Sequence, residues 1–452
     1  MFHLLIKYWY ILLPLIPFLV FILIYTVQNK RAFSIFVMMS ILLERVASSE
    51  AASFGLSNAK LFFMIIVVFY FLININHINQ LFFMSWRMFF PLFLFVFYFT
   101  LSTSWAENIL FVYIISYIQL FILSYLVFKV IKDMEGLNIF ISTLSLSGTV
   151  VTTLLLLEYL GNYDSYINDS TIEFYRSQGK LFILNSNFSA TMATLPFIYY
   201  YVKYFLLEEK KNIYLFLIIY NFIGLLITVS ISALIAILLI VLISLKQYGK
   251  LTRGVVGVSS LVMIILLLVN VFNINILPLH GITTRVKILM DMDKEILFNI
   301  LPRVNIWQFA ISLSSENPFF GYGFKSFLNF SELRPSYVAP KIPGHVAMHS
   351  QYLLALFEGG IIGLILYLVL IIRCLSTVLI VHNYGKLIDD KVIEFCAITI
   401  FLFMIHYLIK SFWHDILVTE KIPWVIFGLI EVLWVGYKKR LIQNKSSVMA
   451  II

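Results

Sequence analysis

An imidazole, a carboxylate and a set of guanidinium groups stand in this sequence where lipid-facing helices have no use for them. The stretch HSQYLLALFEGGIIGLILYLVLIIR opens on His349, carries Glu358 part-way along, and places glycines at 359, 360 and 363. A histidine titrates near neutrality and can take a proton from a hydroxyl. A carboxylate inside an apolar run is costly and is paired or functional by default. Upstream, Arg176 lies in YRSQGKLFILNSNFSA, Arg285 in HGITTRVKIL and Arg303 in LPRVNIWQFA. A guanidinium is a planar fork that matches phosphate oxygens two at a time. Three of them brought together would suit a pyrophosphate; taken singly, each reads equally well as a solvated or head-group-binding residue.

On a helix starting at His349, residues 349, 352, 353, 356, 360, 363 and 367 share one face. That face puts a histidine and Tyr352 at the mouth and Gly360 and Gly363 deeper, where another helix can approach. Gly359-x-x-x-Gly363 is also a small-residue packing pattern. Gln351 and Glu358 fall on a second face, so Glu358 is expected to meet a buried donor rather than His349. The bland alternative is an interfacial histidine above a tightly packed helix. A weaker pattern sits in HYLIKSFWHD, where His406, Lys410 and His414 recur every fourth residue; Lys410 could equally snorkel to the membrane interface. Phosphate-loop, H-E-x-x-H and G-x-S-x-G motifs are absent from the sequence.

These residues need elements to hold them, and composition says which kind. The chain has 452 residues, 61% hydrophobic and 12% charged, with mean hydropathy +0.96. A soluble domain of that length does not have this composition, and each bilayer crossing needs about 20 mostly apolar residues. The expected architecture is an all-α polytopic integral membrane protein. Candidate spans lie near 8–27, 32–49, 59–75, 86–103, 108–130, 138–160, 187–207, 212–229, 231–246, 253–275, 350–374, 391–411 and 421–437, twelve or thirteen in all. The first lacks a cleavage pattern and reads as a retained span. The pair 212–229 and 231–246, with Ser230 and Ser232 at its junction, reads as a short helical hairpin. Three regions follow: helices in 1–275 with a loop at 161–186, a large and partly helical cap at 276–348, and helices plus a tail in 349–452.

Basic residues cluster in alternate loops: QNKR, KVIKD, EEKKN, KQYGKLTR, RCLSTVLIVHNYGKLIDDK and the tail KKR. The positive-inside rule makes those loops cytoplasmic and turns 161–186, the cap and WHDILVTEK outward. The net charge of +9 is scattered among them, which suits topology and lipid head groups rather than nucleic acid. Two cysteines, Cys374 and Cys396, give neither a disulfide framework nor a cysteine metal site.

Three segments carry a family resemblance. RVNIWQFAISLSSENPFFGYGF followed by HSQYLLALFEGGIIGLILYL is similar to a pattern of Arg, a Trp-bearing helix, N-P-x-x-G-x-G, then H-[NS]-x-x-L and E-x-G-x-x-G. RSQGKLFILNSNFSA is similar to R-x-x-G…N-P-N-x-x-A, with Ser186 in place of proline. LLITVSISALIAIL is similar to a serine-rich hairpin often reading S-x-S-R, with Ile231 and Ala233 where an arginine is expected. Together they resemble the O-antigen ligase and O-antigen polymerase superfamily of bacterial envelope proteins, over about residues 140–437.

The resemblance implies a metal-independent glycosyltransferase of C-type membrane architecture, without a cofactor, working at the outer face of the cytoplasmic membrane. Its donor would be an oligosaccharide on undecaprenyl pyrophosphate, and a flippase and chain-length regulator would be partners. His349 would be the general base or orient the acceptor. Arg303 and Arg176, with Arg285 as a third contact, would hold the pyrophosphate. Gln351 and Tyr352 would line the acceptor pocket, while Glu358 and Asn187 would support it. Polymerase is the favoured activity, ligase the alternative, and a transporter of lipid-linked sugar the competing class.

Overall fold

A computed structural model describes residues 29–46, 87–106, 111–161, 186–209, 211–228, 230–247, 301–327, 348–414 and 420–449. These residues form α-helices joined by turns, in agreement with the expected all-α polytopic membrane fold. In chain order they are α1 (Lys30–Val46), α2 (Phe89–Ser102), α3 (Phe111–Ile131), α4 (Met134–Gly161), α5 (Ser186–Tyr201), α6 (Asn212–Thr228), α7 (Ile231–Gln247), α8 (Leu301–Ser314), α9 (Gln351–Leu387), α10 (Lys391–Ser411) and α11 (Ile422–Met449). Stretches of α3, α4, α9 and α10 are long and apolar enough to cross a bilayer. The expected spans 8–27, 59–75 and 253–275 lie outside the described residues, as does most of the 276–348 cap. Of that range, the described residues 301–327 form α8 and the turns after it.

Inside a membrane, polar side chains must find partners on neighbouring helices. The Ser/Thr-rich α4 does this against α5 and α6. Ser142 Oγ meets Tyr199 Oη at 3.0 Å, Thr152 Oγ1 donates to Asn221 Oδ1 at 3.0 Å, and Tyr220 Oη donates to Thr153 Oγ1 at 2.7 Å. The hairpin reading of 212–246 needs correction. Ser230 and Ser232 are buried at the junction as expected. However, α6 lies against α5 and α4 while α7 lies mainly against α10, so the two helices serve different neighbours.

Loops assigned to one side by their charges do meet at one end of the bundle. Lys30 Nζ pairs with Asp133 at 2.6 Å, Arg440 approaches Asp390 at 3.8 Å, and Met134 touches Gly436. Lys203, on a π-helical turn at Val202–Leu206, stands over the rings of Tyr199, Tyr214 and Phe395 and 3.9 Å from Glu209. Arg87 lies over Trp434 at 4.1 Å and donates to Thr377 Oγ1 at 3.0 Å, joining α2, α9 and α11. One of the expected loops is not a loop: RCLSTVLIVHNYG continues α9 to Leu387. Its buried positions Cys374, Thr377, Val378, Val381, His382 and Gly385 recur at helical spacing, which explains the continuation.

The long α9 is broken at Gly360, where φ is 64° and ψ is −164°, a conformation open essentially to glycine alone. A break frees backbone groups that the apolar surroundings cannot hydrate. The NPFFGYG turn pairs them. Tyr322 N–H donates to Phe357 O and Gly323 N–H to Glu358 O, both at 2.9 Å; Ile361 N–H donates to Pro318 O at 2.8 Å and Ile362 N–H to Phe319 O at 3.4 Å. Tyr98 Oη of α2 donates to Gly359 O at 2.7 Å. Gly321 also has positive φ and lies against the Gly360 backbone, so neither position has room for a Cβ.

Candidate functional site

His349 does not lie on α9. Ser350 is the N-cap, with extended φ and ψ of −156° and 116°, and its side chain accepts from Leu353 N–H at 3.5 Å. His349 precedes it in the left-handed region, at φ 54°. The single helical face proposed for His349 and the glycines therefore fails twice, at the cap and at the Gly360 break. A serine directly before an apolar run is the sequence signal for that cap.

The strained position is held from α8. Trp307 Nε1–H donates to Met348 O at 3.0 Å, and Met348 is buried among Ile306, Ala310, Leu354, Phe357 and Phe327. Arg303 lies one turn before Trp307, on the same face of α8. That face brings the Arg303 guanidinium close enough to act on the imidazole. Burial, reinforced by Arg303, pushes His349 down to about 4. Its imidazole is therefore neutral at ordinary pH, with a lone pair to accept a proton. Arg303 and His349, far apart in sequence, share one place. Arg176 and Arg285 lie outside the described residues, and Asn187 falls in the first turn of α5.

The support residues divide. Gln351 is buried at the start of α9. Tyr352 is half-buried in the α9–α10 seam, its ring 4.5 Å from Phe412 and 5.4 Å from Tyr367, its hydroxyl donating to Leu408 O at 3.3 Å. Glu358 is buried beside the helix break, and its carbonyl takes Gly323 N–H.

Lys410 does not snorkel: it is 1% exposed, donates to Thr191 Oγ1 of α5 at 2.5 Å, and forms an ion pair with Glu420, itself 7% exposed. Removing one partner of a buried pair typically costs about 3–5 kcal/mol, because a bare charge is left behind. Beyond Lys410 the chain turns through Phe412 and Trp413 to His414, whose ring centroid lies 6.4 Å from that of His349. Trp413 packs against Trp307 at 6.1 Å. The four-residue spacing of His406, Lys410 and His414 was the available signal. Its partner Glu420 lies beyond the end of α10, where helical periodicity is silent.

The site thus combines a neutral imidazole, a guanidinium whose charge acts on it, a second imidazole 6.4 Å from the first between ring centroids, and two indoles packed on each other nearby. Such a set can take a proton from a hydroxyl on one side and stabilise an anionic leaving group on the other. No curated protein matches the chain. Residues 215–368 match the family model described as O-Antigen ligase, a range that includes α8, the NPFFGYG turn, His349 and the broken part of α9. Together with the motifs around Arg303 and His349, that match supports a relation of this membrane protein to the O-antigen ligase and O-antigen polymerase superfamily, whose members are glycosyltransferase-like enzymes.

Proposed function

We propose that this protein is a polymerase that joins undecaprenyl-pyrophosphate-linked oligosaccharide repeat units at the outer face of the cytoplasmic membrane. The observation that supports the reading is the bond from Trp307 to Met348 O, which sets His349 against the α8 face that also carries Arg303, whose charge acts on the imidazole. In the reaction, the acceptor hydroxyl attacks the anomeric carbon of the donor while the bond from that carbon to pyrophosphate breaks. Arg303, joined by Arg176 and Arg285, holds the pyrophosphate and takes up the charge it gains. His349 removes the hydroxyl proton. The glycosyl–pyrophosphate bond is already activated, so no nucleotide is needed. A preorganised cationic clamp and a positioned base together lower the barrier by several kcal/mol.

A second reading has its own support, because the matching family model is described as an O-Antigen ligase. A ligase would pass finished glycan to a lipid A-core or another acceptor. Purified protein in detergent, given only lipid-linked single repeat units and no membrane gradient, separates the readings. A ladder of lengthening glycan on the carrier lipid supports the polymerase. Transfer only when a lipid A-core acceptor is added supports the ligase. No glycan product from folded protein refutes both and leaves the transporter class.

A further inference from the structure

The reaction above uses His349 and Arg303 and leaves the end of α10 without a role. His414 lies 6.4 Å from His349 between ring centroids, with the planes at 80°. The turn that delivers it is tightly built: Phe412 N–H donates to Ile409 O at 3.2 Å and Trp413 N–H to Lys410 O at 2.9 Å. Trp413 lies against Trp307, the indole that holds Met348 beside His349. Lys410, four residues before His414, is fixed by its buried ion pair with Glu420. Thr191 ties that pair to α5.

A proton taken by His349 puts a second cation next to Arg303, and the imidazole must pass it on. His414 is in ring contact with it and partly exposed, lying past the end of α10. We propose that His414 is the second imidazole of the site, receiving from His349 the proton of the acceptor hydroxyl, and that the Lys410–Glu420 pair is the positioning device that holds it there. The acceptor oxygen bonds to the anomeric carbon, the carbon–oxygen bond to pyrophosphate breaks with its electron pair, and that charge faces Arg303. The proton moves from hydroxyl to His349, to His414, and out to water. The inference rests on the glycosyl-transfer reading and deepens it.

The test uses full-length protein, reconstituted with lipid-linked repeat units, and compares wild type with His349→Ala, His414→Ala and His414→Phe. Loss of a proton-transfer group lowers the rate by about 100-fold or more, so both His414 variants are expected to lose kcat by about that factor with KM little changed. Added imidazole is expected to restore part of the His414→Ala rate and none of the His414→Phe rate, because phenylalanine fills the space. For the pair, Lys410→Met and Glu420→Gln each leave one buried charge alone. The double variant is expected to recover activity that both singles lose. A His414→Ala enzyme with wild-type kcat, or an inactive one that imidazole does not rescue, overturns the relay. A double variant no better than either single overturns the positioning role. Folded wild type that makes no product at all refutes glycosyl transfer itself. Active wild type, inactive His349→Ala and unaffected His414 variants refute only the second imidazole.

Discussion

Replacing Gly360 by alanine tests whether the broken α9 and the NPFFGYG turn form one unit. At φ 64° an alanine is strained whatever space it finds, which costs about 1–3 kcal/mol. Its Cβ would also overlap the Phe319 carbonyl, so the turn must move away. That movement breaks the bonds from Ile361 to Pro318 and from Ile362 to Phe319, each worth about 1 kcal/mol net. The sum is about 3–5 kcal/mol, and each 1.4 kcal/mol is a factor of about ten. Local opening should therefore rise by at least about 100-fold. Hydrogen exchange of the amides in 318–323 and 357–362, followed in detergent, reads this opening directly. Gly359→Ala is the control. Its φ is not in the left-handed region, and the nearest atoms to its Cβ are the ring edges of Phe99 and Tyr98, at 3.0 and 3.2 Å. Those side chains can yield, so exchange should change far less. Wild-type protection in the Gly360→Ala protein would refute the view that this glycine and the turn are locked together.

Arg303→Lys should lose most of the activity that Arg303→Ala loses, because lysine supplies the charge without the fork; full activity in the lysine variant contradicts two-point phosphate binding. Trp307→Phe removes the bond to Met348 O, worth about 1 kcal/mol, and should lower kcat several-fold by loosening His349. An unchanged kcat would show that the bond does not position the imidazole. His349 is held at about 4 against an ordinary 6.5, so between those values the unfolded chain binds more protons than the folded one. Its contribution to stability is full above about pH 6.5 and is lost as pH falls toward 4. The wild-type protein should lose thermal stability over that window more steeply than His349→Gln; parallel curves contradict the lowered value.

Much of the fold was legible because bilayer spans announce themselves in long apolar runs. The ends were less so. Arg373, His382 and Lys386 made the second half of α9 look like a polar loop, yet its inward positions keep helical spacing and its charges lie near the end of a helix longer than a bilayer needs. His349 stands out by type, but the Ser350 cap that sets it off α9 is a one-residue signal. The close approach expected at the glycines is real. What approaches is a turn from forty residues upstream rather than a helix, and pairing over that distance leaves no periodic trace. Lys410 shows the same limit: a lone cation in an apolar run reads as snorkelling until Glu420 and Thr191 are seen beside it.

Locating the pyrophosphate tests most directly the proposal that Arg303 and His349 serve one site. A photoactivatable polyprenyl-pyrophosphate donor is bound to purified protein, irradiated, and the adducts mapped by peptide mass. Adducts on the peptide bearing Arg303 and on that bearing His349, both competed by unlabelled donor and lost in Arg303→Ala, are the expected result. Adducts confined to the opposite end, around Lys203, Asp390 and Arg440, would contradict it.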